Sequence, residues 1–599
     1  MDTAVDDQAI PPDLLAGRPW LRHYEPGIPA EVAVPDITID RFLRDAAARW
    51  PERVALDFLG AKTTFRELDQ QVDRLAGALR GLGLEPGDRV SLHLPTTPGF
   101  VVAFLGVARA GGIVATVSPL AVEREIEVLL GIARPRLSIC LDLLVPRIAA
   151  ARAAIGPALP APRRGSGIVS SGIQDCLPSV LRMLYPLKAR REGRWRPVRH
   201  SQETPNLFRL VAEGPPGRVD APVRPEDPAL LQATGGTTGV PKAAALSHRN
   251  LVANAVQIGA WFPAARPGEM ACLCALPYFH IYGLTVAMTY PLSIGATQVM
   301  QPRWDAKAVL KAIARTRPQL FPGAPMFYSS LLDLPETRAA DLHSIEACIS
   351  GAAPLPGPVQ DGFEALTGGR LVEGYGLTEA SPVTHANPIH GQRRLGTVGL
   401  PLPSTEGQVV DLGTGRRVLP PGEVGELRVR GPQVMLGYWE RPDETALVLR
   451  DGWLYTGDCG VMDDDGYFRI VERLKDLIIV SGVNVYPREV EDVLLAHPAV
   501  AEASVVGQPD ARKGEVPRAY VVLRPGVSAT REELLADCRA NLSTYKVPVA
   551  VEIRKELPKT FVGKVLRRVL SAEREAQPGD DTGGAEASDG PASDPRSTR

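Results

Sequence analysis

Cysteine is scarce in this sequence, and the spacing of the few cysteines excludes two kinds of site. The chain has 599 residues and seven cysteines, an odd number spread along its length. Cys272 and Cys274 lie close together, but no second such pair accompanies them. A structural zinc site or a disulfide framework needs paired cysteines at regular spacing. The sequence therefore indicates neither, and we expect a protein of a reducing cytoplasm.

Long apolar segments and net charge are also lacking. The longest apolar run, residues 99–108, is about ten residues long, which is too short to span a bilayer. The N-terminal segment MDTAVDDQAIPP is acidic, whereas a secretory signal would begin with basic residues. The net charge of −2 gives no reason to expect nucleic-acid binding. We therefore expect a soluble protein.

Segments typical of helices and of strands alternate along the chain. Residues 65–82 have apolar side chains at helical spacing, residues 90–94 are typical of a strand, and residues 99–110 are typical of a buried helix. Sustained alternation of this kind predicts an α/β fold with largely parallel sheets. The length and an apolar content of 44% indicate several domains with sizeable cores.

Two segments depart from this alternation. Residues 157–228 are rich in proline, arginine and glycine, and we interpret them as an insertion outside the core. Within them, residues 173–187 have leucines at helical spacing before a basic stretch, which fits an amphipathic helix on a membrane or a short helix packed on the protein's own surface. The second alternative is favoured, and Pro186 is expected to end the helix. Residues 576–599 lack apolar anchors and are predicted to be disordered.

The most informative motif is a loop rich in glycine and threonine that ends on a lysine, TGGTTGVPK at residues 234–242. Backbone N–H groups, hydroxyls and one cation converge there, which suits a phosphate chain. It is not a Walker A loop, because Pro241 has no N–H to donate and no helix follows directly. Residues 243–246 instead predict a short strand, and Ser247 is the predicted N-cap of a helix over 248–260. The pattern therefore indicates a phosphate-binding loop between two strands.

Four further motifs follow in order: GYGLTEAS at 374–381, GWLYTGDCG at 452–460, ERLKDLIIVSGVNVYPREVE at 472–491 and PKTFVGKVLRR at 558–568. Together with TGGTTGVPK they resemble the core motifs of the AMP-forming acyl-CoA synthetases, also called adenylate-forming enzymes. The segments RPQLFPGAPMFYSSLL, CISGAAPLP and LVEGYGLTEASPVTHANP are most similar to bacterial long-chain fatty-acid–CoA ligases. The resemblance extends from about residue 35 to residue 568.

The resemblance implies both a fold and a reaction. The implied fold is α/β, with a large N-terminal domain of stacked sheets and helices over 35–474 and a small mobile α+β lid over 475–575. Residues 1–34 are then an N-terminal extension. The implied reaction is the ATP-dependent formation of acyl-CoA from a fatty acid through an acyl-adenylate, releasing AMP and pyrophosphate, with Mg²⁺ as cofactor and CoA as co-substrate. The transition state of this reaction gathers negative charge from the triphosphate and the incoming carboxylate. Groups that neutralise this charge and position the reactants therefore matter more than a general base.

The resemblance also assigns residues to the nucleotide. Glu379 is the implied Mg²⁺ ligand, and one carboxylate beside substrate phosphates is the usual arrangement for this ion. Asp458 and Arg473 are implied to clamp the ribose, since a carboxylate accepts hydrogen bonds from both hydroxyls of a diol and arginine donates from a fixed fork. The other implied nucleotide contacts are Thr234, Gly235, Gly236, Thr237, Thr238, Gly239 and Lys242 for the phosphates, Thr378 for the α-phosphate, Tyr375 with Gly374 and Gly376 for the adenine, and Gly351, Ala352 and Ala353 as the floor beneath it. Ala243 and Val562 depart from the family pattern, which usually has glycine and Ser or Thr there.

The remaining assignments concern the lid and the acid. Lys564 is the implied catalytic cation, which domain closure delivers late, so that it stabilises the transition state without overbinding the ground state. Lys475 falls at the hinge, and Gly482 would let the pantetheine arm of CoA pass close to the backbone. His280 and Gly323 are implied to line the acyl pocket, although His280 could equally be a core residue. Residues 277–288 contain no Asp or Glu, which disfavours an amino acid as substrate.

Other functions stay open at this point. An aryl-acid–CoA ligase, or an acyl-AMP ligase that loads a carrier protein, would share these motifs. A nucleotide-binding scaffold with decayed catalysis is the alternative outside enzymes, although the intact charges of Lys564, Glu379, Asp458 and Arg473 argue against it. The expected partners are a carboxylic acid, ATP and CoA, without nucleic acid. A homodimer, and peripheral contact of this cytoplasmic protein with the inner face of a membrane, also stay open.

Overall fold

The described chain divides after Lys475 into two compact units. The structure is a computed structural model, and it describes residues 17–193, 198, 200–234, 241–481, 483–510, 512–560 and 563–575. The predicted disorder of 576–599 lies outside these residues, as does most of the first half of the N-terminal extension. From Gly17 onward the extension packs on the first unit, where Trp20 is buried with its ring centroid 6.2 Å from that of Phe468.

Strands and helices alternate through the first unit. Its strands are β1 (Val54–Phe58), β2 (Ala61–Thr64), β3 (Arg89–His93), β4 (Ile113–Thr116), β5 (Leu137–Leu141), β6 (Ile168–Ser171), β7 (Pro228–Thr234), β8 (Lys242–Ser247), β9 (Ala271–Cys274), β10 (Thr297–Met300), β11 (Ala347–Ser350), β12 (Arg370–Gly376), β13 (Val383–Ala386), β14 (Leu400–Pro401), β15 (Glu406–Val410), β16 (Gly425–Arg430), β17 (Gly437–Tyr438), β18 (Leu449–Arg450), β19 (Trp453–Met462) and β20 (Phe468–Arg473). Its α-helices are α1 (Arg41–Arg49), α2 (Phe65–Gly81), α3 (Pro98–Arg109), α4 (Glu123–Ala133), α5 (Val145–Ile155), α6 (Ser179–Arg191), α7 (Leu207–Glu213), α8 (His248–Trp261), α9 (Tyr290–Ser293), α10 (Ala306–Thr316), α11 (Pro325–Leu332), α12 (Gly357–Thr367) and α13 (Pro442–Val448). Short helical turns lie at Pro19–His23, Asp142–Leu144, Gly156–Ala158, Ile173–Cys176, Gly283–Thr289 (a π-helix), Pro335–Ala339, Thr378–Ala380 and Leu474–Asp476.

Four sheets organise these strands. The largest has the order β17-β8-β7-β4-β3-β5-β6, and its strands from β7 to β6 are parallel. A second sheet, β2-β1-β10-β9, is parallel except for the β2 edge. A third has the order β11-β12-β13-β14. The fourth, which contains β15, β16, β18, β19 and β20, is antiparallel. The predicted α/β class is therefore confirmed, whereas parallel pairing holds only in part of the unit.

Local sequence signals explain where the helices near the large sheet begin. The side chain of Thr64 caps α2 by accepting from the N–H of Glu67, and Glu67 accepts from Thr64 in return. Ser247 caps α8 as predicted, accepting from the N–H of Asn250 at 3.1 Å. Every residue of α3 is buried, which fits its continuous apolar sequence. The carboxyl ends of the parallel strands lie together at one edge of the sheet.

Two expectations about residues 157–228 are wrong. The range is not wholly outside the core, because β6 pairs with β5 at the edge of the seven-stranded sheet and its four residues are buried. Its sequence, IVSS, is too short and too polar to reveal a buried strand. In addition, α6 does not end at Pro186 but continues to Arg191. Proline in the second half of a helix removes one backbone hydrogen bond, and here the helix tolerates that loss.

The second unit is a small α+β assembly. Its strands are β21 (Ile478–Val480), β22 (Val483–Val485), β23 (Val500–Asp510), β24 (Gly514–Leu523) and β25 (Ala550–Arg554), and its helices are α14 (Pro487–Ala496), α15 (Arg531–Asn541) and α16 (Arg567–Glu575), with a short turn at Thr544–Lys546. The sheet order is β22-β21-β24-β23, with β25 parallel to β24. Val490, Leu494 and Leu534 from the helices pack with Val505 and Val521 of the sheet in a core of its own.

Candidate active site

The glycine-rich loop lies between two antiparallel strands, as predicted. Strands β7 and β8 pair so that Thr234 faces Lys242 across the ladder. The loop between them, with Gly235, Gly236, Thr237, Thr238 and Gly239, lies outside the described residues. A loop that leaves and re-enters one sheet in this way differs from a strand-to-helix phosphate loop.

The lysine that closes the loop is held by its neighbours. Lys242 is buried, forms an ion pair with Glu444, and its Nζ lies 5.0 Å from the ring centroid of Tyr438. The pairing of β17 with β8 places Tyr438 there, since Tyr438 is opposite Ala244 in that ladder. An ion pair and an aromatic face together stabilise a cation that has lost most of its water.

The proposed Mg²⁺ ligand belongs to the same group of side chains. The hydroxyl of Tyr438 donates to Oε1 of Glu379 at 2.8 Å, and the backbone N–H of Met435 donates to the carbonyl of Glu379 at 2.8 Å. Burial raises the pKa of the Glu379 carboxyl, while the Tyr438 hydrogen bond and the charge of Arg473 act to lower it. A carboxylate held in place by one hydroxyl can supply one oxygen to a hard cation whose other ligands are phosphates and water.

The predicted ribose clamp is assembled by the pairing of two strands. Asp458 and Arg473 are opposite one another in the β19–β20 ladder, and Arg473 Nε lies 3.0 Å from Asp458 Oδ1. Tyr375 donates its hydroxyl to the other oxygen, Oδ2, at 2.6 Å. Burial raises the pKa of Tyr375, and the charge of Asp458 raises it further. The structure thus brings together three residues predicted from separate motifs.

The strand positions on either side of Tyr375 in β12 require residues without bulk. A Cβ on Gly376 would lie 2.0 Å from the carbonyl oxygen of Pro382, and one on Gly374 would lie 2.7 Å from a side-chain carbon of Ile349. Thr378 then opens the short helical turn that carries Glu379. The predicted adenine floor, Gly351 to Ala353, follows β11; it includes Ala352 at φ +71°, a left-handed conformation that strains a residue with a side chain.

The predicted acyl-pocket residues form one hydrogen-bonded wall. Nδ1 of His280 accepts from the N–H of Tyr282 at 3.3 Å, and the hydroxyl of Tyr282 donates to the carbonyls of Gly323 at 3.1 Å and Ile349 at 2.8 Å. His280 is half-buried, so it is not a fully enclosed core histidine. Tyr282 was not predicted as part of the site, although it follows His280 by only two positions.

An apolar cavity of about 60 Å³ lies beside this wall. Ile349 and Pro322 belong to its lining, next to Gly323, whereas His280 and Gly323 do not line it. The lining also includes aromatic and sulfur-bearing side chains, those of Trp261, Phe262, Tyr290, Cys272 and Cys348. These five residues come from four separate segments, so no short motif could have indicated the cavity.

The assigned residues of the lid lie at turns. Lys475 sits in the short helical turn Leu474–Asp476, at the end of the first unit. Lys564 is exposed in a tight turn. Its carbonyl accepts a hydrogen bond from the N–H of Thr560 at 2.8 Å, and Lys559 and Val565 on either side of the turn pair in an isolated antiparallel β-bridge. Gly482 lies outside the described residues.

Comparisons with known proteins agree with this arrangement. Residues 43–439 match the AMP-binding enzyme family, and residues 489–564 match the AMP-binding enzyme C-terminal domain. A long-chain-fatty-acid–CoA ligase of Bacillus subtilis (strain 168) is 44% identical over 561 residues, which cover 93% of this chain and 98% of that protein. A long-chain-fatty-acid–CoA ligase of Escherichia coli O6:H1 is 37% identical over 569 residues, which cover 92% of this chain and 98% of that protein. The ATP-bound structure of MatB from Rhodopseudomonas palustris is 30% identical, with a TM-score of 0.78 over 90% of this chain and 99% of that one.

Proposed function

The chain belongs to the AMP-binding enzyme family, and we propose that it is an ATP-dependent ligase that joins a long-chain fatty acid to CoA. The observation that supports this most directly is the cluster of Asp458, Arg473 and Tyr375 beside Glu379. It combines a diol-binding carboxylate, a fixed cation and a metal-binding carboxylate within one unit. The names of the curated relatives support the fatty acid as substrate.

In the first half-reaction, a carboxylate oxygen of the acid attacks the α-phosphorus of ATP. The bond to the β-phosphate oxygen breaks, pyrophosphate leaves, and the acyl-adenylate remains. Asp458 and Arg473 would hold the ribose, and Tyr375 would lie against the adenine above Gly351, Ala352 and Ala353. Lys242, Thr234 and the loop 235–239 would bind the phosphates, with Thr378 on the α-phosphate. Glu379 would hold Mg²⁺, which neutralises phosphate charge when bound.

In the second half-reaction, the sulfur of CoA attacks the acyl carbon. The bond to the AMP oxygen breaks, AMP leaves, and the thiol proton passes to solvent. Both half-reactions need the same face of the nucleotide. We therefore expect the second unit to adopt two orientations about Lys475, one that presents Lys564 and one that presents Gly482. A lysine that arrives only in the first orientation stabilises the transition state without holding the products.

The acid would enter beside His280 and Gly323 and extend toward the apolar cavity. The cavity lining has no charged residue, which suits an alkyl tail and would penalise a charged group. At about 60 Å³ it would accommodate only part of a long chain in its present form. The rest of the tail would lie along the wall formed by Tyr282 and Ile349.

Acid-dependent exchange of labelled pyrophosphate into ATP tests this function. We expect exchange with fatty acids, strict dependence on Mg²⁺, and loss of exchange in Glu379→Gln, which keeps the shape of the side chain but removes its charge. Free CoA should then yield the thioester. Transfer only to a carrier protein would favour an acyl-AMP ligase, and nucleotide binding without any exchange would favour a decayed scaffold.

A peripheral contact with the inner face of a membrane is also part of the proposal. A long-chain acid partitions into bilayers, so a ligase for it gains from working at their surface. The described residues contain no helix that is long and apolar enough to cross a membrane.

A further inference from the structure

The helix α6 turns an apolar face outward. Val180, Met183, Leu184 and Leu187 have the i, i+3, i+4, i+7 spacing that places side chains on one face of a helix. Their exposed fractions are 66%, 73%, 49% and 60%, whereas Ala189, on the opposite side, is 2% exposed. A helix packed only on its own protein would bury the apolar face. The favoured expectation for this segment is therefore wrong.

Two exposed basic residues, Arg190 and Arg191, lie at the carboxyl end of this face. Arg182 is exposed elsewhere on α6, and one acidic residue, Glu192, follows the helix directly. A helix with an apolar face flanked by Lys and Arg is typical of segments that lie in the headgroup region of an anionic bilayer. Two copies of the chain could also cover the apolar face, but Arg190 and Arg191 of each copy would then lie close to those of the other.

Further exposed apolar side chains follow neighbouring strands of the same sheet. Leu120 and Val122, after β4, are 74% and 59% exposed, and Leu143, after β5, is 39% exposed. Strands β4, β5 and β6 are parallel members of one sheet, so their carboxyl ends lie at one edge. Gln174, between β6 and α6, donates to Asp142 at 3.1 Å and ties the start of α6 to the end of β5.

We infer that α6, together with Leu120, Val122 and Leu143, forms a docking surface for an anionic lipid bilayer. The apolar side chains would enter the headgroup region, and the basic residues would contact lipid phosphates. Strand β7 is parallel to β4, so the nucleotide loop begins at the same sheet edge, at Thr234. Docking there would bring the ligase close to acid dissolved in the bilayer. The access to dissolved acid rests on the proposed function, whereas the docking surface itself does not.

Vesicle flotation with the full-length protein tests the inference. The probes are phosphatidylcholine vesicles with and without about one third phosphatidylglycerol. We expect the wild type to float with the anionic vesicles, and Met183→Glu/Leu187→Glu to reduce the bound fraction about tenfold or more. Arg190→Gln/Arg191→Gln should lower binding to anionic vesicles toward the level seen with neutral ones. The matched control, Leu395→Glu/Val527→Glu, alters side chains that are 62% and 47% exposed elsewhere and should float like the wild type.

Three results would overturn the inference. These are a wild type that floats with neither kind of vesicle, a Met183→Glu/Leu187→Glu variant that floats like the wild type, and a wild-type dimer that this variant converts to monomer. Turnover of a detergent-dispersed acid should be unchanged in the variant, which shows that it is folded. A protein that floats as expected but activates no acid would contradict the proposed function and leave the docking surface standing.

Discussion

The hydroxyl of Tyr438 is the part of the site whose removal is most informative. It donates at 2.8 Å to the Glu379 carboxylate, and the ring beneath it also covers the Lys242 cation. Tyr438→Phe removes the hydroxyl alone and keeps the ring over Lys242 and the Lys242–Glu444 ion pair. A hydrogen bond to a charged group is worth about 1.5–3 kcal/mol, which corresponds to a factor of about 10–150 in an equilibrium constant.

We therefore expect Tyr438→Phe to raise the Mg²⁺ concentration needed for half-maximal pyrophosphate exchange by about tenfold or more. Outer-shell partners of metal ligands typically contribute 10–100-fold to metal affinity. The assay is exchange at fixed ATP across a Mg²⁺ titration, with Glu379→Gln as the variant that should not respond to added Mg²⁺ at all. The matched control is Tyr24→Phe, which also loses one tyrosine hydrogen bond, to the carbonyl of Pro401 at 2.6 Å. A Mg²⁺ dependence that is the same in Tyr438→Phe, Tyr24→Phe and wild type would refute the role given to this hydroxyl.

Three further predictions concern the lid and the core. Lys564→Ala should abolish adenylate formation yet spare thioester formation from a supplied acyl-adenylate; equal loss in both half-reactions would make the lysine structural. Lys475→Pro should fix φ at the pivot and so slow CoA-dependent release more than adenylation. Gly482→Trp should have the same effect by blocking the path of the pantetheine arm. Single-turnover assays in which both variants lose the two half-reactions equally would rule out two orientations of the second unit. Burial lowers the pKa of His385 to about 3, so the folded state resists its protonation. The contribution of His385 to stability should then fall by about 1.4 kcal/mol per pH unit between about pH 6.5 and about pH 3. Urea unfolding of His385→Gln should therefore show a shallower pH slope than the wild type, and equal slopes would mean that the ring is charged in the folded state.

The nucleotide half of the site could be predicted because its residues lie within short motifs. Pro241 and the strand predicted directly after the loop distinguished the strand–loop–strand arrangement from a Walker A loop, and the pairing of β7 with β8 confirms it. Asp458 and Arg473 belong to two separate motifs and were predicted to clamp the ribose together, and they are partners across one ladder. In each case the chemistry requires particular residue types close together in sequence, which is the signal that a single sequence carries.

The parts that were missed depend on contacts between distant segments. Tyr438 reaches Glu379 across 59 positions, and only the pairing of β17 with β8 brings it there. The outward face of α6 could not be inferred either, because an amphipathic pattern gives the spacing of apolar residues and not the side that the fold covers. The edge strand β6 was missed because four residues are too few to show a period.

The most direct test of the proposed function is acyl-CoA formation by the purified chain across carboxylic acids of graded length, with aryl acids included. We predict that free CoA, ATP and Mg²⁺ yield one thioester and one AMP per acid consumed, with kcat/KM rising from short to long aliphatic chains. A preference for aryl acids, or adenylate that accumulates without any thioester when CoA is present, would contradict the assignment of a long-chain fatty-acid–CoA ligase.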